Sequence, residues 1–178
     1  KTTTALQQAA SAIRMDDPKH KDEYLRLAQT DVEELLKGEN PHLIDEWQKA
    51  PQIWDACRFV VDTQGEDGMF ILTGSAEPPE SDKISHSGTG RVGWVKMRPM
   101  SLWESEESNG AISIAKLFDG EFKATAAKEY SLREMCYLIC RGGWPKTIGK
   151  SERAALKQAY NYVDAVAKRD IKEVDEVN

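Results

Sequence analysis

The sequence predicts an α/β fold, in which a parallel sheet carries helices on both sides and a mainly helical region follows. Helix and strand signals alternate through the first half of the chain, as expected for parallel strands joined by helices. The run at 69–73 is short, apolar and unalternating, which is typical of a strand buried on both faces. The run at 42–47 contains another apolar strand, and this strand ends in two adjacent carboxylates.

Propensity, apolar periodicity and turn residues predict the other elements of the first half. The predicted elements are a helix at 2–11, a strand at 12–15, two helical pieces within 21–37 and a helix after Pro51. Thr30 and Glu33 have the spacing of a capping box, which would open the second helical piece.

The second half of the chain has a different character. Its predicted elements are a long polar loop at 74–90, a strand at 91–97, short helices opened by the capping boxes Ser101/Glu104 and Ser131/Glu134, and an amphipathic helix at 152–169. We therefore expect an α/β core at 1–104. A mainly helical, lid-like subdomain would follow at 105–178 and lead towards a further domain.

Charge and hydropathy exclude some classes of function. The chain has 178 residues, with 24 Lys and Arg against 30 Asp and Glu, for a net charge of −6. This balance argues against a broadly basic surface for nucleic acid. No apolar run approaches the length of about 18 residues that predicts a membrane span, so we expect a cytoplasmic protein without a membrane partner.

The cysteines and histidines do not form a metal motif. Cys136 and Cys140 are four residues apart on a predicted helix, and Cys57 is far from both. We expect Cys136 and Cys140 to be small buried residues in a reducing cytosol. The three histidines are scattered along the chain, which argues against a metal site made from them.

Asp45 and Glu46 carry the clearest chemical signal. An Asp at the C-terminal tip of a buried strand can hold Mg²⁺ through water, and the next side chain, on the other face, can polarise an attacking water. This pattern is the Walker B motif of P-loop ATPases. For such a pair taken alone, two solvated turn residues are the alternative interpretation.

The start of the chain adds to this signal. Lys1, Thr2 and Thr3 are similar to the end of a phosphate-binding loop, G-x-x-x-x-G-K-T, where it enters its helix. The glycines of that loop are absent from the sequence. An ordinary polar start is the alternative, but a Walker B strand follows at a separation that is usual in such folds.

Four segments make the resemblance specific. In order, they are Leu43-Ile44-Asp45-Glu46-Trp47-Gln48, Phe70-Ile71-Leu72-Thr73-Gly74-Ser75-Ala76, Met97-Arg98-Pro99-Met100-Ser101-Leu102 and Arg141-Gly142-Gly143-Trp144-Pro145. They resemble the prokaryotic AAA-type ATPases that carry a DUF4143 domain after the ATPase module. The resemblance implies a P-loop NTPase fold of the AAA+/ASCE type, with ATP and Mg²⁺ as cofactors.

The resemblance also implies roles for individual residues. Lys1 would contact the β and γ phosphates, and Thr2 would place its hydroxyl on Mg²⁺, with Thr3 beside them in the nucleotide site. Asp45 would hold the water shell of the metal. Glu46 would act as the general base for water attack.

Three further residues have two interpretations each. Ser75 is at the position of the sensor that hydrogen-bonds the γ phosphate, with Thr73 as the other candidate; the alternative for Ser75 is a turn-forming serine. Arg91 could reach a phosphate in cis or across a homo-oligomer as an arginine finger, or be a plain strand-edge arginine. Arg141 would belong to a nucleotide-responsive hinge, or only to the C-terminal cap of its helix.

Two functions follow from these assignments. The first is an Mg²⁺-dependent ATPase that drives or regulates a partner domain, and the second is a non-catalytic nucleotide switch whose output lies in that domain. Glu46 favours the first, because a switch needs no base beside the metal. A protein that begins at Lys1 should bind ATP weakly, since the cradle of backbone N–H groups would be missing. Its sheet should also expose apolar strand surface.

Overall fold

The structure is a computed structural model that describes residues 1–74, 90–120 and 128–175. The chain divides into two compact units, Lys1–Lys96 and Met97–Asn178. The division falls a few residues before the boundary at 104 that the sequence predicts.

The first unit contains a three-stranded parallel sheet with helices between its strands. Its elements are α1 (Thr2–Leu6), β1 (Ser11–Arg14), α2 (Lys21–Thr30), a 3₁₀ helix (Val32–Leu36), β2 (His42–Asp45), a 3₁₀ turn (Trp47–Lys49), α3 (Gln52–Gln64) and β3 (Phe70–Thr73). The strand order is β1-β2-β3, and Asp45 pairs with Arg14 on one side and Thr73 on the other. The predicted alternation of strands and helices is confirmed.

The central strand β2 explains why this sheet is stable. All four of its residues are buried, including the apolar Leu43 and Ile44. Ile53 and Trp54 of α3 join Ile44 in the hydrophobic core. Each fully buried aliphatic side chain of this kind contributes about 1.5–3 kcal/mol. β3, in contrast, lies at an edge of the described sheet, and its four residues are half-buried rather than buried on both faces.

Helix α3 begins at Gln52, directly after Pro51 as the sequence predicts, and ends at Gln64. Its buried face includes Ile53, Trp54 and Cys57, and burial raises the pKa of the Cys57 thiol to about 12. Gly65 ends the helix with a φ of 69°, and its N–H donates to the Val61 carbonyl. This left-handed conformation favours glycine because it has no Cβ.

The predicted strand at 91–97 is wrong. The backbone there is irregular, and in the described sheet no strand pairs with this segment. The ring of Trp94 lies 5.7 Å from that of Trp54, centroid to centroid. Strand formation depends on cross-strand neighbours more than on intrinsic preference, so apolar residues alone do not determine it.

The three predicted capping boxes have different outcomes. Thr30 is the last residue of α2, and its hydroxyl donates to the Arg26 carbonyl at 3.0 Å instead of capping the next turn. At Ser101 the hydrogen bonds of the box are formed, but the segment is a turn, not a helix. At Ser131 the prediction is confirmed, since the reciprocal bonds with Glu134 open a helix.

The second unit is described at 97–120 and 128–175. Its helices are α4 (Ile114–Phe118), α5 (Leu132–Arg141), a 3₁₀ turn (Pro145–Thr147) and α6 (Glu152–Asp175). Trp144 packs on Tyr162 of α6 with ring centroids 4.2 Å apart. Cys136 and Cys140 are exposed on α5, which corrects the expectation that they are buried. Among the described helices, none is long and apolar enough to cross a membrane.

Candidate functional site

The C-terminal ends of β2 and β3 meet the start of α1 at one edge of the sheet. Asp45 is the last residue of β2, and Thr73 is its register partner at the end of β3. Lys1 and Thr2 lie at the beginning of α1. This edge, formed by Lys1, Thr2, Asp45 and Thr73, is called the strand-end site below. Ligands of open α/β sheets bind at this end of the strands.

Asp45 is the centre of the strand-end site. The residue is buried, with 6% of its surface exposed. The Thr2 hydroxyl lies 2.9 Å and 3.0 Å from its two carboxylate oxygens, and the Thr73 hydroxyl donates to one of them at 2.5 Å. A buried carboxylate without donors would be costly, so these hydroxyls hold it in place. The strand register puts Thr73 beside Asp45. Helix α1, at the start of the first unit, brings Thr2 to the same carboxylate.

Lys1 lies at the same edge as Asp45. Its side-chain amine donates to the backbone carbonyl of Gly74, the residue that follows β3. The resemblance predicts that the start of the Lys1 helix faces the ends of the strands of Asp45 and Ser75. The contacts of Lys1 with Gly74 and of Thr2 with Asp45 agree with this placement, and Ser75 lies outside the described residues. Two hydroxyls therefore contact the Asp45 carboxylate, and the Lys1 ammonium contacts a backbone carbonyl at the same edge.

Glu46 follows Asp45 in an unusual backbone conformation. Its φ is 57° and its ψ is 39°, in the left-handed region. A residue with a Cβ pays about 1–2 kcal/mol for this conformation, and such strain is concentrated at functional sites. The Glu46 carboxylate accepts a hydrogen bond from the Gln48 side-chain amide at 2.6 Å.

No pattern in the sequence marks Gln48 as a site residue. Its side chain lies against Gly74, where an added Cβ would be 2.2 Å from the Gln48 Oε1. The feature of the sequence that could have identified Gln48 is its position, two residues after Glu46 in the turn that follows a strand. Thr73 was considered only as a sensor, and its contact with Asp45 follows from the register of β3.

The remaining predicted residues of the nucleotide site differ in what the structure describes. Thr3 is exposed on α1, and its side chain makes no hydrogen bond to another residue of the described ranges. Ser75 lies outside the described residues. Both assignments stay predictions.

Arg91 is engaged by an acidic side chain of α3. Its Nε donates to the Asp62 carboxylate at 2.6 Å, and about half of the Arg91 side chain is exposed. This hydrogen bond holds the pKa of Asp62 below its ordinary value. The role of an arginine finger stays a prediction, and the described contact is with the protein itself.

Arg141 is buried within the second unit, with 4% of its surface exposed. Its guanidinium contacts the Glu107 carboxylate, and it donates to the Ser105 hydroxyl at 3.3 Å and to the Gly142 carbonyl at 3.2 Å. Burial alone would raise the pKa of Glu107, but the bonds from Arg141 and Ser105 outweigh it and lower that pKa. These contacts describe an internal ion pair. The nucleotide-binding role of Arg141 stays a prediction that they do not support.

The strand-end site offers oxygen ligands of the kind that Mg²⁺ prefers. The Thr2 hydroxyl lies within 3.0 Å of both Asp45 carboxylate oxygens. In the described ranges, no group of three His, Cys, Asp or Glu side chains could hold a metal by itself. Mg²⁺ is usually bound through one or two protein oxygens together with substrate phosphates and water, so this small set of donors fits it.

Comparison with known proteins identifies a family that matches the chain. The model of a family described as an AAA domain matches residues 1–106, which include the whole strand-end site. No curated protein and no solved structure matches the chain.

Proposed function

Because the chain belongs to this AAA domain family, we propose that it binds ATP with Mg²⁺ at the strand-end site and hydrolyses it. The family implies a nucleotide-binding, ATPase-like domain, and the parallel sheet with its helices fits a P-loop-like fold. The observation that carries the proposal is the contact of the Thr2 hydroxyl with both oxygens of the buried Asp45. A hydroxyl and a carboxylate so placed are the two protein ligands that such ATPases give to Mg²⁺.

Each residue of the site has a part in this proposal. Thr2 and Asp45 would hold Mg²⁺, which neutralises charge on the phosphates when it is bound. Lys1 would contribute its positive charge to the β and γ phosphates. Its contact with the Gly74 carbonyl supports this role, because it keeps the amine at the edge where the phosphates would lie. Thr3, and Ser75 as sensor, complete the proposed nucleotide site.

Glu46 is the proposed general base. The water oxygen attacks the γ-phosphorus, the bond from this phosphorus to the β–γ bridging oxygen breaks, and its electron pair leaves with ADP. A water proton passes to the Glu46 carboxylate, and the products are ADP and inorganic phosphate. Glu46 directly follows Asp45, and this position supports the role. A general base must lie within reach of the proton that it accepts, and this requirement matters more than a shifted pKa.

The output of hydrolysis is proposed from the resemblance to AAA-type ATPases with a DUF4143 domain. In this proposal a prokaryotic, cytoplasmic protein uses ATP to drive or regulate a partner domain that follows the chain. Arg91 would act in a neighbouring subunit of a homo-oligomer, and it would have to leave Asp62 to do so.

Two substitutions test the catalytic proposal in the full-length protein. Glu46→Gln should keep Mg-ATP binding and lower phosphate release by about 10²-fold, as expected for loss of a general base. Asp45→Asn should weaken Mg²⁺-dependent binding as well. Binding is measured by calorimetry and turnover by phosphate release, with Glu66→Gln, an exposed carboxylate, as the control.

The same measurements separate the two functions. Unchanged turnover in Glu46→Gln would remove the catalytic assignment. A wild-type protein that binds Mg-ATP tightly and releases no phosphate would instead favour the nucleotide switch.

A further inference from the structure

The contact between Gln48 and Glu46 is short and local. The Gln48 Nε2 donates to the Glu46 Oε2 at 2.6 Å, across two residues of sequence. Both side chains are half-buried. A hydrogen bond from an amide to an ionised carboxylate is stronger than one between neutral groups, so this bond restricts the orientation of the carboxylate.

The turn that carries Gln48 is fixed by the core. Trp47, between the two residues, is buried, and its ring lies 5.3 Å from that of Trp54, centroid to centroid. Backbone bonds from Lys49 to Glu46 and from Ala50 to Trp47 close the turn. The backbone of Gln48 therefore has little freedom, and its amide reaches Glu46 from a rigid base.

Gly74 leaves the space that the Gln48 side chain occupies. A Cβ there would lie 2.2 Å from the Gln48 Oε1 and 3.0 Å from its Cδ. Gly74 has no positive φ in the structure, so its backbone conformation does not demand glycine. An added Cβ would instead require the flexible end of the Gln48 side chain to move.

We propose that Gln48 is a positioning residue that orients the Glu46 carboxylate for its work as the base, and that Gly74 provides the room for it. This inference rests on the proposed ATPase function. It adds a residue that acts only through Glu46. A carboxylate held in one orientation spends more time in the geometry that accepts a proton, and small misplacements of a catalytic group have large effects on rate.

The contact itself can be tested without nucleotide. In the NMR spectrum, Glu46→Ala should shift the side-chain amide resonance of Gln48, because its acceptor is removed. The amide of Gln52, which donates to the Ala28 carbonyl at 3.0 Å, is the internal control and should stay in place. If neither amide responds, or both respond equally, the contact does not hold Gln48 and the proposal is overturned.

Kinetics test the positioning role in the full-length protein. Gln48→Leu keeps the size of the side chain and should lower kcat by about 10-fold to 10²-fold, with the KM for Mg-ATP within about twofold. Gln48→Asn, which keeps an amide but shortens its reach, should have an intermediate kcat. On the Glu46→Gln background, Gln48→Leu should have no further effect, because its action passes through Glu46.

Glycine substitutions provide a second route that keeps Gln48. Gly74→Ala should displace the Gln48 amide and lower kcat, whereas Gly93→Ala, where an added Cβ meets open space, should leave kcat unchanged.

The outcomes of these experiments separate the two proposals. If Gln48→Leu lowers kcat by the same factor in the wild type and on the Glu46→Gln background, Gln48 has a structural role and the proposal is overturned. If the wild type is active and Gln48→Leu has the same kcat, the positioning role alone is overturned. If the wild type is inactive, the ATPase function and the positioning role are overturned together.

Discussion

Asp45 shows how a single residue depends on partners that are distant in sequence. Its carboxylate accepts hydrogen bonds from Thr2, at the start of the chain, and from Thr73, on the neighbouring strand. Both donors satisfy a group that would otherwise be buried without partners. The same hydroxyl of Thr2 is the proposed ligand of Mg²⁺, so stability and metal binding should respond together when it is removed.

Thr2→Ala should therefore lower both stability and the response to Mg²⁺. Loss of one hydrogen bond to a buried charged group costs about 1.5–3 kcal/mol of unfolding free energy. Thr4→Ala, at an exposed position of the same helix, should stay within about 0.5 kcal/mol of the wild type. Denaturation in urea with and without Mg-ATP measures both effects. Equal stability of the two variants would mean that the Thr2 contact contributes nothing.

His42 is a buried residue outside the strand-end site, at the opposite end of β2 from Asp45. Its Nδ1 lies 2.6 Å from the Ser11 hydroxyl, and its Nε2 lies 3.2 Å from the Leu35 carbonyl. Neither contact is to a charged group. Burial lowers the pKa of His42 below its ordinary value, because the ring loses water that would stabilise its charged form.

The lowered pKa of His42 predicts a loss of stability in mild acid. In the unfolded chain, His42 takes up a proton as the pH falls through the ordinary histidine pKa of about 6.5. In the folded protein, His42 is protonated only at a lower pH. The contribution of the neutral His42 ring to the free energy of unfolding is therefore complete above that pKa. It decreases as the pH falls towards the lowered pKa of the folded protein. Between about pH 7 and pH 5, the free energy of unfolding should fall more steeply in the wild type than in His42→Gln.

Urea denaturation across this pH range measures the difference. His20→Gln is the control, since His20 is exposed. This variant should keep the steep slope of the wild type. The same slope in His42→Gln would contradict the argument from burial.

At the scale of elements, α5 illustrates how a helix is defined locally and anchored from a distance. The capping box of Ser131 and Glu134 opens it, and Gly142 follows its last turn. Its last residue, Arg141, is then anchored by Glu107, which lies 34 residues earlier in the sequence. The ion pair fixes the end of α5 to the segment before α4.

Breaking this ion pair should destabilise the second unit. Arg141→Met leaves the Glu107 carboxylate without its main partner and should cost about 3 kcal/mol of unfolding free energy. The double variant Arg141→Met with Glu107→Leu should be less damaged, because no unpaired charge remains. Urea denaturation gives both values. A double variant as unstable as the sum of the single ones would show that the two side chains do not act as a pair.

At the scale of the whole molecule, stability should be unequal between the two units. The hydrophobic core of the described residues lies in the first unit, around Ile44 and Ile53. In the described part of the second unit, the buried apolar residues are Leu138 and Ala155. Local opening is easier where few apolar contacts are buried.

Hydrogen exchange should follow this difference. The amide of Ile44 on β2 should exchange among the slowest in the protein, whereas that of Ile139 on α5, whose side chain is 76% exposed, should exchange through local opening and much faster. Mass spectrometry or NMR measures the exchange of both. Equal protection of these two isoleucine amides would mean that the units unfold together.

The sequence by itself determined the features that depend on near neighbours. The apolar runs identified β2 and β3, the Ser131 box identified the start of α5, and Asp45 and Glu46 marked the end of β2. Each depends on residue types within a few positions, where propensity and hydrogen bonding act. The placement of Lys1 and Thr2 at the same edge as Asp45 was expected from the resemblance to a family with this arrangement.

The tertiary structure alone decided which side chains meet. Arg91 contacts Asp62 across 29 residues of sequence, and Arg141 contacts Glu107 across 34. The spacing of Cys136 and Cys140 on a predicted helix favoured burial of both, yet both are exposed on α5. A periodic pattern shows that a face is apolar, but what covers that face depends on the path of the whole chain, because packing and long-range pairing are properties of the assembled fold.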